Sequence, residues 1–144
     1  MIKKIAALDC GDVWTGSALS DVMHLLARPY KTVSSKDLTT LINLLITQER
    51  IGTLVIGYPQ TMRGTESIQT KKIVTLCREL EQIFPSINFV LWDERLTSKH
   101  ASHLKKGISK EDKLQSHSIA AALILTSYLD HLRFEQEFGT QEQS

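Results

Sequence analysis

Two acidic positions at the ends of apolar runs constrain this chain most. Asp9 lies near the end of the run opened by Ile5-Ala6-Ala7-Leu8, and Asp93-Glu94-Arg95 closes Phe89-Val90-Leu91-Trp92. Short, nearly continuous apolar runs read as strands buried on both faces, the kind found inside a sheet covered by helices. A carboxylate where such a strand leaves the core is costly unless it is paired, hydrogen-bonded or bound to metal. Packing explains these residues poorly, and chemistry at a sheet edge explains them well. Two of them on adjacent strands would make a hard-cation site, the usual machinery for cutting a phosphodiester. Side chains alternate along a strand, so of Asp93 and Glu94 only one can join Asp9, and the other anchors a loop or pairs with Arg95. By the same alternation Cys10 points away from Asp9.

The pattern around these runs sets the fold class. Ile2 to Asp9 reads as a central strand, Thr15 to Ser20 as a returning strand after a turn bracketed by Gly11 and Gly16, and Arg28 to Val33 as an edge strand that tolerates Pro29. Leu38, Leu41, Ile42 and Leu45 share one helical face, with Ser34 or Ser35 placed to cap it. A buried strand follows at Thr53–Gly57, then a polar loop over 58–65. Ile73, Leu76, Cys77, Leu80 and Ile83 mark the buried stripe of a second helix, and Ile87 to Trp92 forms the next strand. Thr97 is placed to cap a short helix ending near Gly107. A strong helix runs from Ile119 to Leu132, and a polar, frayed tail from Glu135. The order β-β-β-α-β-α-β-α-α predicts an α/β fold: a mixed five-stranded sheet with helices on both faces, opened by an antiparallel meander. One domain over 1–134, with the tail 135–144, accounts for the whole chain.

Composition narrows the function classes. At 144 residues with 42% hydrophobic and 23% charged residues, a folded single domain is expected. The opening apolar run stops too early for a signal peptide, and no stretch approaches the ~20 apolar residues of a membrane span, so a cytoplasmic protein with no membrane partner is expected. Two cysteines, Cys10 and Cys77, are too few and too far apart for a disulfide framework or a zinc site. A net charge of +1 does not announce a nucleic-acid binder, but its distribution is suggestive. The stretch from Arg95 to His117 carries a surplus of four positive charges, and the stretch from Asp130 to the end a surplus of three negative ones. A basic stretch beside paired carboxylates suits a phosphate backbone, although a solvated helix face explains it too.

The motifs, taken in order, resemble those of one family. Asp9-Cys10-Gly11 with Gly16 and Ser20-Asp21, Ala27-Arg28-Pro29, Val55-Ile56-Gly57-Tyr58-Pro59 with Met62 to Glu66, Asp93-Glu94-Arg95-Leu96-Thr97, and Ala120-Ala121 through Tyr128-Leu129 are similar to the signature segments of the YqgF family. This family is also called RuvX and comprises pre-16S ribosomal RNA nucleases and Holliday-junction-resolvase-like proteins. The resemblance implies an RNase H-like fold and metal-dependent cleavage of structured nucleic acid, with a pre-16S rRNA precursor as the leading substrate. A DNA junction and ribosomal particles are further possible partners, and the protein is a monomer or a homodimer. It further implies ligands from the first strand, the fourth strand and the last helix, here Asp9, Glu94 and His117, holding Mg²⁺ or Mn²⁺. The family usually carries aspartate where this chain has His117. Histidine can ligate Mn²⁺ or act as a general base, and near a helix start it can also be merely solvated or capping. Asp112 is the alternative third ligand if the local alignment slips.

Four further positions and Arg95 are candidates for substrate binding. Trp14 stands where many relatives carry a basic residue, and it either stacks on a base or packs against the sheet. Gly57, Gly64 and Thr65 would let backbone amides approach a phosphate, or simply shape a turn. Arg95 would clamp a phosphate bidentately or pair with its acidic neighbours. Two rival functions remain beside the nuclease. A non-catalytic nucleic-acid-binding or ribosome-assembly factor would explain the altered third ligand. A phosphotransferase would explain the Asp9-Cys10-Gly11 turn, but such enzymes close two domains around ATP, and one domain of this length cannot.

Overall fold

The computed structural model describes residues 2–59, 67–96 and 110–138. The strands are β1 (Lys4–Cys10), β2 (Trp14–Ser20), β3 (Ala27–Ser34), β4 (Ile51–Tyr58) and β5 (Asn88–Asp93). They form one sheet in the order β3-β2-β1-β4-β5. β1 pairs antiparallel with β2, and β2 with β3, while β4 runs parallel to both β1 and β5. The helices are α1 (Leu38–Thr47), α2 (Ile68–Ile83) and α3 (Lys110–Phe138), with 3₁₀ turns at Ser35–Asp37 and Glu94–Leu96. The mixed five-stranded sheet, the meander and the central β1 are those expected from the sequence.

Strand alternation divides the core into two layers. Ala6, Leu8, Leu19, Leu54 and Ile56 face α1 and α2, meeting Leu41, Ile42, Leu45, Ile73, Cys77 and Leu80. Ile5, Ala7, Ala18 and Val55 face α3, meeting Ala121, Ile124, Leu125 and Leu129. The small residues Ala7, Ala18 and Ala121 on this second face allow α3 to lie close on the sheet. Ser67 caps α2 by accepting from the Thr70 amide at 3.1 Å. Ser34 caps the 3₁₀ turn ahead of α1 rather than α1 itself, whose N-cap Asp37 makes no side-chain cap bond.

Four expectations change. Gly16 does not end a turn but lies inside β2, opposite Asp9. Ile83 is exposed at the last turn of α2, where the chain turns and Phe84 packs against the core in its place. β1 and β5 are not adjacent, because β4 runs between them. The last helix begins at Lys110 and continues to Phe138 instead of spanning Ile119–Leu132. Its early turns carry no apolar stripe to betray them. Its end is extended by the Arg133–Asp130 and His131–Glu135 pairs and by Phe134 against Phe138. The short helix expected from Thr97 and most of the basic stretch, the loop residues Gly64 and Thr65, and the terminal 139–144 lie outside the described residues. Among the described residues no helix is long and apolar enough to cross a membrane.

Candidate active site

The face of the sheet under α3 gathers the sequence-predicted residues. Asp9 lies two positions beyond Ala7 and so shares its face, and its partner in β2 is Gly16. A β-carbon on Gly16 would stand 2.1 Å from the His117 carbonyl carbon and oxygen and 2.5 Å from the Ser118 nitrogen. The missing side chain is therefore what lets the α3 backbone settle on β2 and brings His117 beside Asp9. The His117 Nδ1 lies 4.0 Å from an Asp9 carboxylate oxygen, with both side chains partly exposed. His117 sits well inside α3, not near its start.

Glu94 arrives from the other side of β4. It follows β5, not the fourth strand, and heads the 3₁₀ turn. Its Oε1 lies 3.2 Å, and its Cγ 3.3 Å, from where a Gly57 β-carbon would be, and Ile124 Cδ1 fills the same spot from α3 at 2.6 Å. Gly57 at the end of β4 is thus the gap through which Glu94 leans toward the centre of the sheet. This is a packing role for a residue expected to approach phosphate. The charges of Asp9 and Glu94 both reach Cys10, which burial above all, then Asp9, pushes up to about 12. That thiol stays neutral and lies on the α1/α2 face, so it is no nucleophile for this site.

Asp93 takes the other face, as alternation requires. Its carboxylate accepts from the Arg95 backbone amide at 2.9 Å and from the guanidinium at 2.7 and 2.8 Å, and the Arg95 side-chain bond holds it below the ordinary aspartate range. Arg95 is therefore engaged in holding the strand end while its side chain stays part-exposed. Trp14, 39% exposed, opens β2 on the same face as Gly16 by alternation. Asp112 falls on the early part of α3 whose side chains are outside the described set.

One set of supporting residues went unread in the sequence. Ser35 Oγ donates to the Gly11 carbonyl at 2.6 Å and lies 2.9 Å from Thr15 Oγ1, while its amide donates to Val13 O at 2.9 Å. The Gly11 amide closes the turn on Trp14 O at 2.9 Å. The loop between Asp9 and Trp14 is thereby fastened to the turn after β3. Thr15 is a fully buried polar residue that needs such a partner, but the sequence did not name it.

Two carboxylates and an imidazole are a donor set suited to Mg²⁺ or Mn²⁺. Among the described residues no three such groups already converge closely enough to hold an ion. Asp9 and His117 form the near pair, with Glu94 directed from across Gly57.

Comparison with known proteins gives the family and the fold. A relative from Rubrobacter xylanophilus, named "Putative pre-16S rRNA nuclease", is 38% identical over 128 residues, covering 88% of this chain and 92% of that protein. One of the same name from Ehrlichia canis is 36% identical over 141 residues, covering 93% and 89%. Among solved structures, Thermus thermophilus RuvC in complex with a Holliday junction substrate superposes with a TM-score of 0.53 at 13% identity, covering 90% of this chain and 96% of that one. At that identity the likeness speaks for the fold, which is RuvC-like and hence RNase H-like. The RuvX family, described as Holliday junction resolvase, matches residues 3–131, and the chain belongs to it.

Proposed function

We propose that the chain is a metal-dependent endonuclease that cuts structured RNA and processes the 5′ end of pre-16S rRNA in ribosome biogenesis. The observation that carries this reading is the approach of His117 Nδ1 to Asp9 at 4.0 Å, on the sheet face toward which Glu94 leans. Asp9, Glu94 and His117 would hold the cation, Mg²⁺ or Mn²⁺, and the imidazole favours Mn²⁺. When bound, the cation supplies Lewis acidity at the scissile phosphate and neutralises the two carboxylates. His117 stands where it can also accept a proton from the attacking water. Trp14, exposed on the same face, would stack an unpaired base, the usual way a protein reads single-stranded RNA. Arg95 would lend its exposed edge to a phosphate while Asp93 fixes its position.

The choice of RNA rests on the relatives' shared name, and a direct competition tests it. An end-labelled pre-16S fragment and a four-way DNA junction are incubated with the protein in Mn²⁺. Cutting of the RNA near the mature 5′ end is expected. Cutting of the junction alone would replace the RNA nuclease with a resolvase. A second reading, a non-catalytic binding factor, is favoured by one feature, histidine in place of the family's usual aspartate at position 117. Tight binding of the RNA without cutting in any metal would select it.

A further inference from the structure

The end of the molecule opposite the candidate site carries an apolar surface that the nuclease reading does not use. The β2–β3 loop exposes Val22 at 49%, Met23 at 67%, Leu25 at 50% and Leu26 at 76%, beside Ile2 at 68%. This loop is built to stay in place. The Asp21 carboxylate accepts from the amides of Met23, Leu25 and Leu26 at 3.2, 2.8 and 2.8 Å. His24 takes a left-handed φ of 58° and its Nε2 meets the Lys3 carbonyl at 2.7 Å. Fixed apolar side chains in solvent are costly for a monomer, and a contiguous patch of several hundred Å² marks an interaction site. Ile2 and Val22 continue it into a cleft of about 560 Å³ floored by Ile46 and Ile87 and edged by Lys3 and Arg50.

The chain also carries a segment of matching chemistry. Past His131, which stacks on Trp92 at 5.2 Å, α3 exposes Phe134 at 62% and Phe138 at 51%, ring on ring at 4.7 Å. Glu135 and Glu137 lie beside them, in a stretch with a surplus of three negative charges. This segment lies past Trp92 near the end of β5, while the cleft lies by Ile87 at the start of β5, so Phe134 and Phe138 do not fill the cleft of their own copy. Two copies of the segment face to face would set Glu135 and Glu137 against their own kind.

We propose that the protein forms a two-fold dimer in which Phe134 and Phe138 of each copy seat in the apolar cleft and loop patch of the other, with Glu135 and Glu137 meeting Lys3 and Arg50. Each copy then contributes both surfaces, so the contact forms twice about the two-fold axis. This dimer is independent of the nuclease reading.

Sedimentation velocity over a wide concentration range tests it with three samples. The wild type is expected to pass from monomer to dimer as concentration rises. Phe134→Ser/Phe138→Ser and Met23→Ser/Leu26→Ser, all at exposed positions and with thermal melts checked against wild type, should each weaken the dimer at least tenfold. An equal mixture of the two double variants keeps one of the two contacts, an intact patch receiving an intact tail, and should associate more strongly than either alone. A monomer at every concentration overturns the proposal. A dimer that ignores the loop variant, or a mixture that shows no recovery, overturns it equally.

Discussion

Replacing Gly16 with alanine tests the link between fold and site at its tightest point. The new β-carbon would lie 2.1 Å from the His117 carbonyl carbon and oxygen and 2.5 Å from the Ser118 nitrogen, where β-carbons essentially never come within 3.0 Å of a neighbour. Both obstructing groups are backbone, so no rotamer relieves the clash, and α3 must retreat from β2 by about 1 Å. Overpacking a well-filled interface costs about 1–3 kcal/mol, and a clash of strand backbone with helix backbone belongs at the upper end. For a chain of this size, about 3 kcal/mol lowers Tm by roughly 10 °C. The same retreat carries His117 away from Asp9, and a displacement of ~1 Å in a catalytic constellation costs on the order of a hundredfold in rate. Thermal unfolding and single-turnover RNA cleavage are measured on Gly16→Ala and on Gly52→Ala as a control. The atoms nearest a β-carbon on Gly52 are in the Lys3 side chain, at 3.0 Å and beyond and with no backbone among them, so the control should melt much closer to wild type. A Gly16→Ala protein with unchanged Tm and cleavage rate would refute the argument that this glycine sets the approach of α3.

Three other outcomes follow from the same geometry. Gly57→Ala meets the tip of Ile124 at 2.6 Å and the Glu94 side chain at 3.2 and 3.3 Å. Those are movable groups, so its melt should fall less than that of Gly16→Ala while its cleavage rate falls markedly; an unchanged rate would detach Glu94 from the reaction. Burial pushes Cys10 up to about 12 and Cys77 to about 11, so both thiols stay protonated at pH 8 and native protein should react slowly with a thiol reagent, the buried Cys77 more slowly than the half-buried Cys10, with two equivalents labelled once denatured; fast native labelling of Cys77 would contradict its placement. Asp93, held low first by its side-chain bond to Arg95, and Asp21, held low first by the Leu26 amide, bind protons more readily unfolded than folded. Stability should therefore be flat above the ordinary aspartate range and fall as acid titrates the folded carboxylates, and Asp93→Asn should flatten that acid limb; an identical limb in the variant would remove Asp93 from the account.

Much of the fold was legible because it follows from local pattern. The apolar runs at Ile5–Leu8 and Val55–Ile56 are buried on both faces, and the helical stripes of α1 and most of α2 are where their periodicity puts them. Alternation required that only one of Asp93 and Glu94 join Asp9 and that Cys10 point away, while the choice of Glu94 came from the family resemblance; the structure pairs Asp93 with Arg95 and puts Cys10 on the far face. The insertion of β4 between β1 and β5 was not legible, because strand order is a property of crossovers rather than of composition. The start of α3 at Lys110 was hidden for another reason, since the sequence from Lys110 to Gln115 is largely polar and shows no apolar periodicity. The roles of Gly16 and Gly57 depend on which backbone crosses them, which no window of sequence contains. The Ser35 bonds to Gly11 and Thr15 join segments twenty or more positions apart and are invisible for the same reason.

The central claim is that Asp9, with His117 beside it, makes a metal-dependent nuclease. The most direct measurement is single-turnover cleavage of an end-labelled pre-16S rRNA fragment in Mn²⁺, in Mg²⁺ and in EDTA, by the wild type, Asp9→Asn and His117→Asp. The account predicts cutting by the wild type that is strongest in Mn²⁺, absent in EDTA and lost in Asp9→Asn, with His117→Asp shifting the preference toward Mg²⁺. Cutting that survives EDTA or Asp9→Asn, or a wild type that never cuts while His117→Asp does, would contradict it.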